Sequence, residues 1–199
     1  MLCRFYAIAD ASFGDCVRLA EALFAGGARL VQIRNKKAGS REFLNQVERI
    51  LSFAPSDGRV IVNDRVDVAL LAGAAGVHLG QTDLPPAAAR RILGPDSIVG
   101  FSTHNFEQAV EADSLPIDYI AVGPVFATST KENPDPVVGV EKLATICRAV
   151  QKPVVAIGGI TLDNAEAALS AGAASVAVIR DLLAHEDVAK RARMFERGL

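Results

Sequence analysis

Short apolar runs recur along this chain, and stretches of helical periodicity separate them. The runs are Phe5–Ile8, Leu30–Ile33, Val60–Val62, Val77–Leu79, Ile98–Phe101, Tyr119–Val122, Val154–Ile157 and Val176–Ile179. Between and after them, apolar residues at 3/4 spacing predict helices over Cys16–Ala25, Ser40–Phe53, Arg65–Ala72, Pro85–Leu93, Asn105–Ala112, Val140–Val150, Leu162–Ser170 and Val188–Phe195. A strand–helix alternation implies a parallel sheet joined by right-handed crossovers. Eight such units close into a barrel. The expected fold is therefore α/β, a (β/α)8 TIM barrel, as one domain over residues 1–199. Ala-Gly-Gly-Ala at 25–28 and Ala-Gly-Ala-Ala at 72–75 and 171–174 each lead from a helix into a strand, a weak internal repeat that supports it. A doubly wound open sheet is the alternative, but no G-x-G-x-x-G follows the first run.

Composition narrows the functional classes. A net charge of -2 argues against a general nucleic-acid binder, which needs a basic surface. No run approaches the roughly 20 apolar residues of a membrane span, and the first residues lack the apolar core of a signal peptide. The three cysteines, Cys3, Cys16 and Cys147, are scattered and odd in number. They fit a reducing compartment, so a cytoplasmic location is expected. No Cys pair or His cluster has zinc-ligand spacing. Association into a homo-oligomer is left open.

The stretch Val60–Asp83 carries the chemistry most compactly. It reads strand, acid, helix, strand, acid, with Asp64 and Asp83 as the acids. Parallel strands joined by a helix place both acids at one end of the sheet. Paired carboxylates on rigid supports suit a hard cation such as Mg2+. The plainer alternative makes Asp64 a helix cap and Asp83 a turn residue.

Further polar residues fall at the same predicted rim. Gln32-Ile33-Arg34-Asn35-Lys36 follows the second run; alternation lets Arg34 and Lys36 point the same way, which suits a diphosphate, and a solvated basic loop is the alternative. Ser102-Thr103-His104 follows the fifth run, and its hydroxyls suit a phosphate oxygen or a helix cap. Thr128-Ser129-Thr130-Lys131 lies in a long Pro-rich connection, Phe126–Gly139, of the kind that forms lids or binding loops. Gly158-Gly159 follows the seventh run and Ile179-Arg180 closes the eighth, the two loops that recurrently bind phosphate in such barrels. Two anion sites and one metal site emerge. Two anionic substrates with Mg2+ imply transfer of a group from a diphosphate.

The segments Q-I-R-N-K, I-V-N-D-R-V-D-V-A, G-V-H-L-G-Q-T-D-L-P, G-F-S-T-H, Y-I-A-V-G-P-V-F-A-T-S-T-K, A-I-G-G-I-T and A-G-A-A-S-V-A-V-I are jointly specific. On them the chain resembles the thiamine-phosphate synthase family over nearly its full length. The resemblance implies a (β/α)8 barrel and a Mg2+-dependent reaction. In that reaction 4-amino-2-methyl-5-(diphosphooxymethyl)pyrimidine is joined to 4-methyl-5-(2-phosphoethyl)thiazole with release of pyrophosphate. It implies that Gln32, Arg34, Lys36, Asn63, Ser102 and Lys131 hold the pyrimidine diphosphate, with Ile33 and Asn35 in the same segment. Arg34, Lys36 and Lys131 would neutralise the leaving group, and Asp64 and Asp83 would hold Mg2+. Thr128, Ser129, Thr130 and Gly159 would hold the thiazole phosphate, with Ile179 and Arg180 beside it. Many family members have Ser where this chain has Arg180. His78 and His104 are expected to be hydrogen-bonded structural residues, since the reaction moves no proton through them. The related thiazole tautomerases share the barrel and the thiazole-phosphate site but generally lack the full diphosphate and metal set. A noncatalytic phosphate-metabolite sensor is the alternative of a different class.

Overall fold

Side-chain alternation along each strand sorts the apolar residues into two layers, and that sorting builds the fold. In the computed structural model, which describes residues 3–128 and 136–199, eight parallel strands form a closed barrel in sequence order. They are β1 (Phe5–Asp10), β2 (Leu30–Arg34), β3 (Arg59–Asn63), β4 (Gly76–Leu79), β5 (Ile98–Thr103), β6 (Tyr119–Val122), β7 (Val154–Ile157) and β8 (Ser175–Val178). β8 returns to β1 through the register Phe5↔Val176, Tyr6↔Ala177 and Ala7↔Val178, which closes the ring.

Successive residues of a strand face opposite sides. Phe5, Ala7 and Ala9 of β1 thus join Val31, Ile33, Val60 and Val62 in the outer layer beneath the helices. Tyr6 and Ile8 point inward and pack with Leu30, Ile61, Tyr119, Ala121, Val155 and Ala177 in the barrel interior. The helices covering the outer layer are α1 (Cys16–Ala25), α2 (Ser40–Phe53), α3 (Val66–Ala72), α4 (Pro86–Leu93), α5 (Phe106–Asp113), α6 (Val140–Ala149) and α7 (Ala165–Ser170). α8 (Arg180–Leu183) and α9 (Val188–Gly198) follow β8. On α9, Phe195 stacks on Phe5 with ring centroids 5.3 Å apart, fastening the helix to β1; such a pair contributes about 0.5–1.5 kcal/mol beyond its buried area. Side-chain caps begin several helices. Asp15 accepts from the amides of Val17 and Arg18 at α1, and Asn105 accepts from that of Gln108 at α5.

The strands and most helices expected from periodicity are present. The helix expected over Leu162–Ser170 starts only at Ala165. Its first residues form a turn instead, in which the amides of Asn164 and Ala165 donate to the Thr161 carbonyl. α8 is an addition. Among the described residues, no helix is long and apolar enough to cross a membrane.

Candidate active site

The inner layer is apolar at the N-terminal end of the barrel and polar at the C-terminal end. There the strands open into a cavity of about 790 Å3. Gln32, Arg34, Lys36, Asn63, Asp64, Asp83 and Ser102 line one arc of it, and Thr128, Gly159, Ile179 and Arg180 line another. Ser129, Thr130 and Lys131 lie outside the described residues.

Alternation along β2 decides which of its residues reach the cavity. Gln32 and Arg34 face in, while Ile33 is fully buried in the outer layer. Asn35 is also turned away. Its Oδ1 accepts from the amides of Lys37 and Ala38 and its Nδ2 donates to Gln46 Oε1 at 3.1 Å, so it shapes the loop. The expectation that Ile33 and Asn35 belong to the binding set is therefore corrected for their side chains: strand parity points one away, and loop hydrogen bonds occupy the other.

Arg34 is held from below by Asp10, a carboxylate at the end of β1 that no sequence pattern marks. The two residues are register partners across β1 and β2, their side chains form an ion pair, and Asp10 is 2% exposed. Asp10 also accepts from the Ser12 amide at 2.9 Å. With its other oxygen so engaged, the carboxylate fixes the guanidinium at the cavity wall. Lys36, on the loop beyond, lies 3.2 Å from Asp64 Oδ2.

Asp64 and Asp83 come together as the spacing implied. Asp64 is not the cap of α3, since Arg65 holds that position. Its backbone has φ 62, the left-handed region that non-glycine residues rarely occupy. Its amide donates to the His78 carbonyl at 2.8 Å, which ties it to the end of β4. Asp83 is fixed through Oδ2 by the Gly80 amide at 2.7 Å. Burial pushes the Asp64 carboxyl above the usual carboxylate range; the neighbouring Asp83 carboxyl adds to the rise, and Lys36 opposes it. A second cation would relieve this crowding of acids. Two carboxylates suit Mg2+, which commonly takes one or two from protein and the rest from water and substrate phosphates. Among the described residues, no set of three or more His, Cys, Asp or Glu could hold a metal, so any ion here depends on such outside ligands.

The other arc is built for backbone contact. Gly158 has φ 93 and Gly159 φ 66. A Cβ on Gly159 would lie 2.5 Å from the Ala127 carbonyl oxygen, so only glycine fits beneath the loop that follows β6. Asn164 pins the pair, donating to the Gly159 carbonyl at 2.9 Å and accepting from the Thr161 amide at 2.8 Å. Arg180 leans over the Phe13 ring, with Cζ 5.7 Å from the centroid. It makes no ion pair among the described residues. The neighbouring Asp181 is engaged instead by Arg191, at 2.8 Å.

Both expected structural histidines are hydrogen-bonded. His104 Nδ1 lies 2.8 Å from the Gly123 carbonyl oxygen. His78 lies 2.9 Å from the Tyr119 hydroxyl through Nδ1 and 2.8 Å from Ser102 Oγ through Nε2. Tyr6 and Tyr119, which complete this network, read in the sequence only as apolar strand residues.

A (β/α)8 barrel with cations, paired acids and a glycine pair around one cavity at its C-terminal mouth defines the class: barrels that handle anionic metabolites at that mouth. Comparison with known proteins gives the particular branch. Residues 5–182 match the family described as thiamine monophosphate synthase. A thiamine-phosphate synthase of Koribacter versatilis is 47% identical, covering 90% of this chain and 89% of its own. One of Anaeromyxobacter dehalogenans is 48% identical, covering 92% and 85%. A solved thiamine phosphate pyrophosphorylase of Pyrococcus furiosus superposes with a TM-score of 0.90 at 36% identity, over 98% of this chain and 94% of that one. The chain belongs to the thiamine monophosphate synthase family.

Proposed function

We propose that this protein is a thiamine-phosphate synthase. It transfers the 4-amino-2-methylpyrimidin-5-ylmethyl group from its diphosphate to 4-methyl-5-(2-phosphoethyl)thiazole, giving thiamine phosphate and pyrophosphate. The observation that carries this reading is the convergence, in one cavity, of Arg34 and Lys36 with the Asp64–Asp83 pair on one arc and the Gly158-Gly159 turn on another.

The C–O bond between the pyrimidine methylene and the diphosphate breaks, and its electron pair leaves with pyrophosphate. The thiazole nitrogen supplies its lone pair to the same carbon. No proton need move, so the chain's task is to neutralise the leaving group and align the nucleophile. Arg34, oriented by Asp10, and Lys36 face the leaving diphosphate, and Ser102 and Asn63 stand beside it. Lys131, outside the described residues, would add a third cation. Asp64 and Asp83 would hold Mg2+, which when bound supplies charge neutralisation at the diphosphate oxygens. Gly159 and Thr128, with Ser129 and Thr130 of the undescribed segment, would receive the thiazole phosphate, and Arg180 from above Phe13 would add a planar fork of donors.

The test is turnover by purified protein with both substrates, with and without Mg2+. Thiamine phosphate and pyrophosphate should appear in equal amounts, and only with the metal. Isomerisation of a thiazole carboxylate phosphate in place of coupling would identify a tautomerase. Binding of both ligands without turnover would identify a sensor.

A further inference from the structure

Across the floor of the cavity runs a chain of buried side chains whose hydrogen bonds join two walls of the barrel. Gln32 Nε2 donates to the Tyr6 hydroxyl at 2.9 Å. The Tyr6 and Tyr119 hydroxyls lie 3.0 Å apart, Tyr119 and His78 Nδ1 2.9 Å, and His78 Nε2 and Ser102 Oγ 2.8 Å. Tyr119 stands on β6 and His78 on β4, with β5 between them. They nevertheless stack at 5.6 Å, because Gly100 is the β5 register partner of both. A Cβ at Gly100 would sit 2.0 Å from Tyr119 Cζ, so the missing side chain is the passage through which the ring crosses its neighbour strand.

Proton counting gives this chain a direction. A phenol carries one hydrogen, and Tyr6 already accepts from Gln32. Its own hydrogen must therefore go to Tyr119, the remaining partner of its hydroxyl among the described residues. Tyr119 in turn donates to His78 Nδ1. His78 is then neutral with its proton on Nε2, and it donates to Ser102 Oγ. Ser102 is left with its own hydrogen to give to the cavity. Turning the Gln32 amide over would reverse every bond and offer an anion at Ser102 only lone pairs. Because Arg34 and Lys36 line the same cavity, the forward direction is the one electrostatically consistent with an anion there.

We propose that Tyr6, Tyr119 and His78 are positioning residues. They set the Ser102 hydroxyl as a donor toward the diphosphate and couple that polarity to the amide orientation of Gln32. The diphosphate part and the electrostatic choice of direction rest on the proposed function; the donation from Gln32 to Tyr6, which sets the same direction, does not.

Long-range proton–nitrogen correlation on the nitrogen-15-labelled, ligand-free protein reads the His78 tautomer, with His104→Gln and His185→Gln to assign the other two rings. The expected state is neutral with the proton on Nε2. A proton on Nδ1 overturns the proposal. Calorimetry with Mg2+ and inorganic pyrophosphate tests the coupling. Ser102→Ala should weaken binding about tenfold, as for one hydrogen bond to a charged group. Tyr119→Phe should weaken it about fivefold alone, on the same hydrogen-bond scale, but have no effect in the Ser102→Ala background. Equal losses in both backgrounds would make Tyr119 merely structural and overturn the positioning role. No pyrophosphate binding by the parent would sink the functional reading of Ser102, while the tautomer would still decide the direction.

Discussion

Asp64 stands in a backbone conformation that asparagine and aspartate tolerate and most residues resist. Replacement by Asn therefore keeps the loop while removing the charge. Asp64→Asn and Asp83→Asn should each lower Mg2+-dependent turnover by about 100-fold or more, in the range found for lost electrostatic stabilisation. Melting temperature should hold or rise, because one of two crowded acids is gone. Near-normal rates in both variants would end the metal-site reading. Arg180 makes a narrower case. Losing one charge-assisted contact of roughly 1.5–3 kcal/mol raises a KM by about 10- to 150-fold. Steady-state kinetics of Arg180→Ala, varying thiazole phosphate at saturating pyrimidine diphosphate, should show that rise. A KM within about twofold of the parent, under about 0.5 kcal/mol on the same scale, would place Arg180 outside the site. The residues that line the cavity were readable because they sit at strand ends in types that suit anions and metals. Asp10 was not, because its meaning comes from the parallel register that sets it beside Arg34.

At the scale of the element, apolar run length located the strands well. Tyr119–Val122 and Val154–Ile157 end where the runs end, and α1 and α2 span the residues expected. α8 has four residues, too few to print a period. The Tyr6–Tyr119 contact joins strands 113 residues apart. Nothing local marks it, since each tyrosine reads as an ordinary inward strand residue. Gly100 was the available hint, a glycine inside an otherwise apolar strand, where close approach of another group is a common cause. Gly100→Ala should force the Tyr119 ring aside and destabilise by about 1–3 kcal/mol, as overpacking does. That is roughly 2–12 °C in melting temperature for a chain of this size. A thermal melt unchanged within about 1 °C would mean that the ring has another route across β5.

For the whole molecule, buried acids of high pKa set the alkaline limit. Burial pushes the Cys16 thiol up to about 12 and the Cys147 thiol to about 11, from an ordinary 9.0. The Tyr6 and Tyr119 phenols are raised in the same direction by burial. The folded state thus keeps protons that the unfolded chain releases. Unfolding free energy should therefore be flat near neutrality and fall as pH rises from about 9 towards 12. Denaturant titrations from pH 7 to 11 check this; unchanged stability at pH 11 would show these groups to be reachable by water. Closure of the barrel carries a further consequence, for the protein as it is made. Because Phe5 pairs with Val176, the first strand has no lateral partner on that side until the last strand has been translated. A nascent chain halted before Ser175 leaves two raw sheet edges, on β1 and β7, open to whatever strand drifts past. Until β8 has been made, the ribosome carries a sheet that invites strangers.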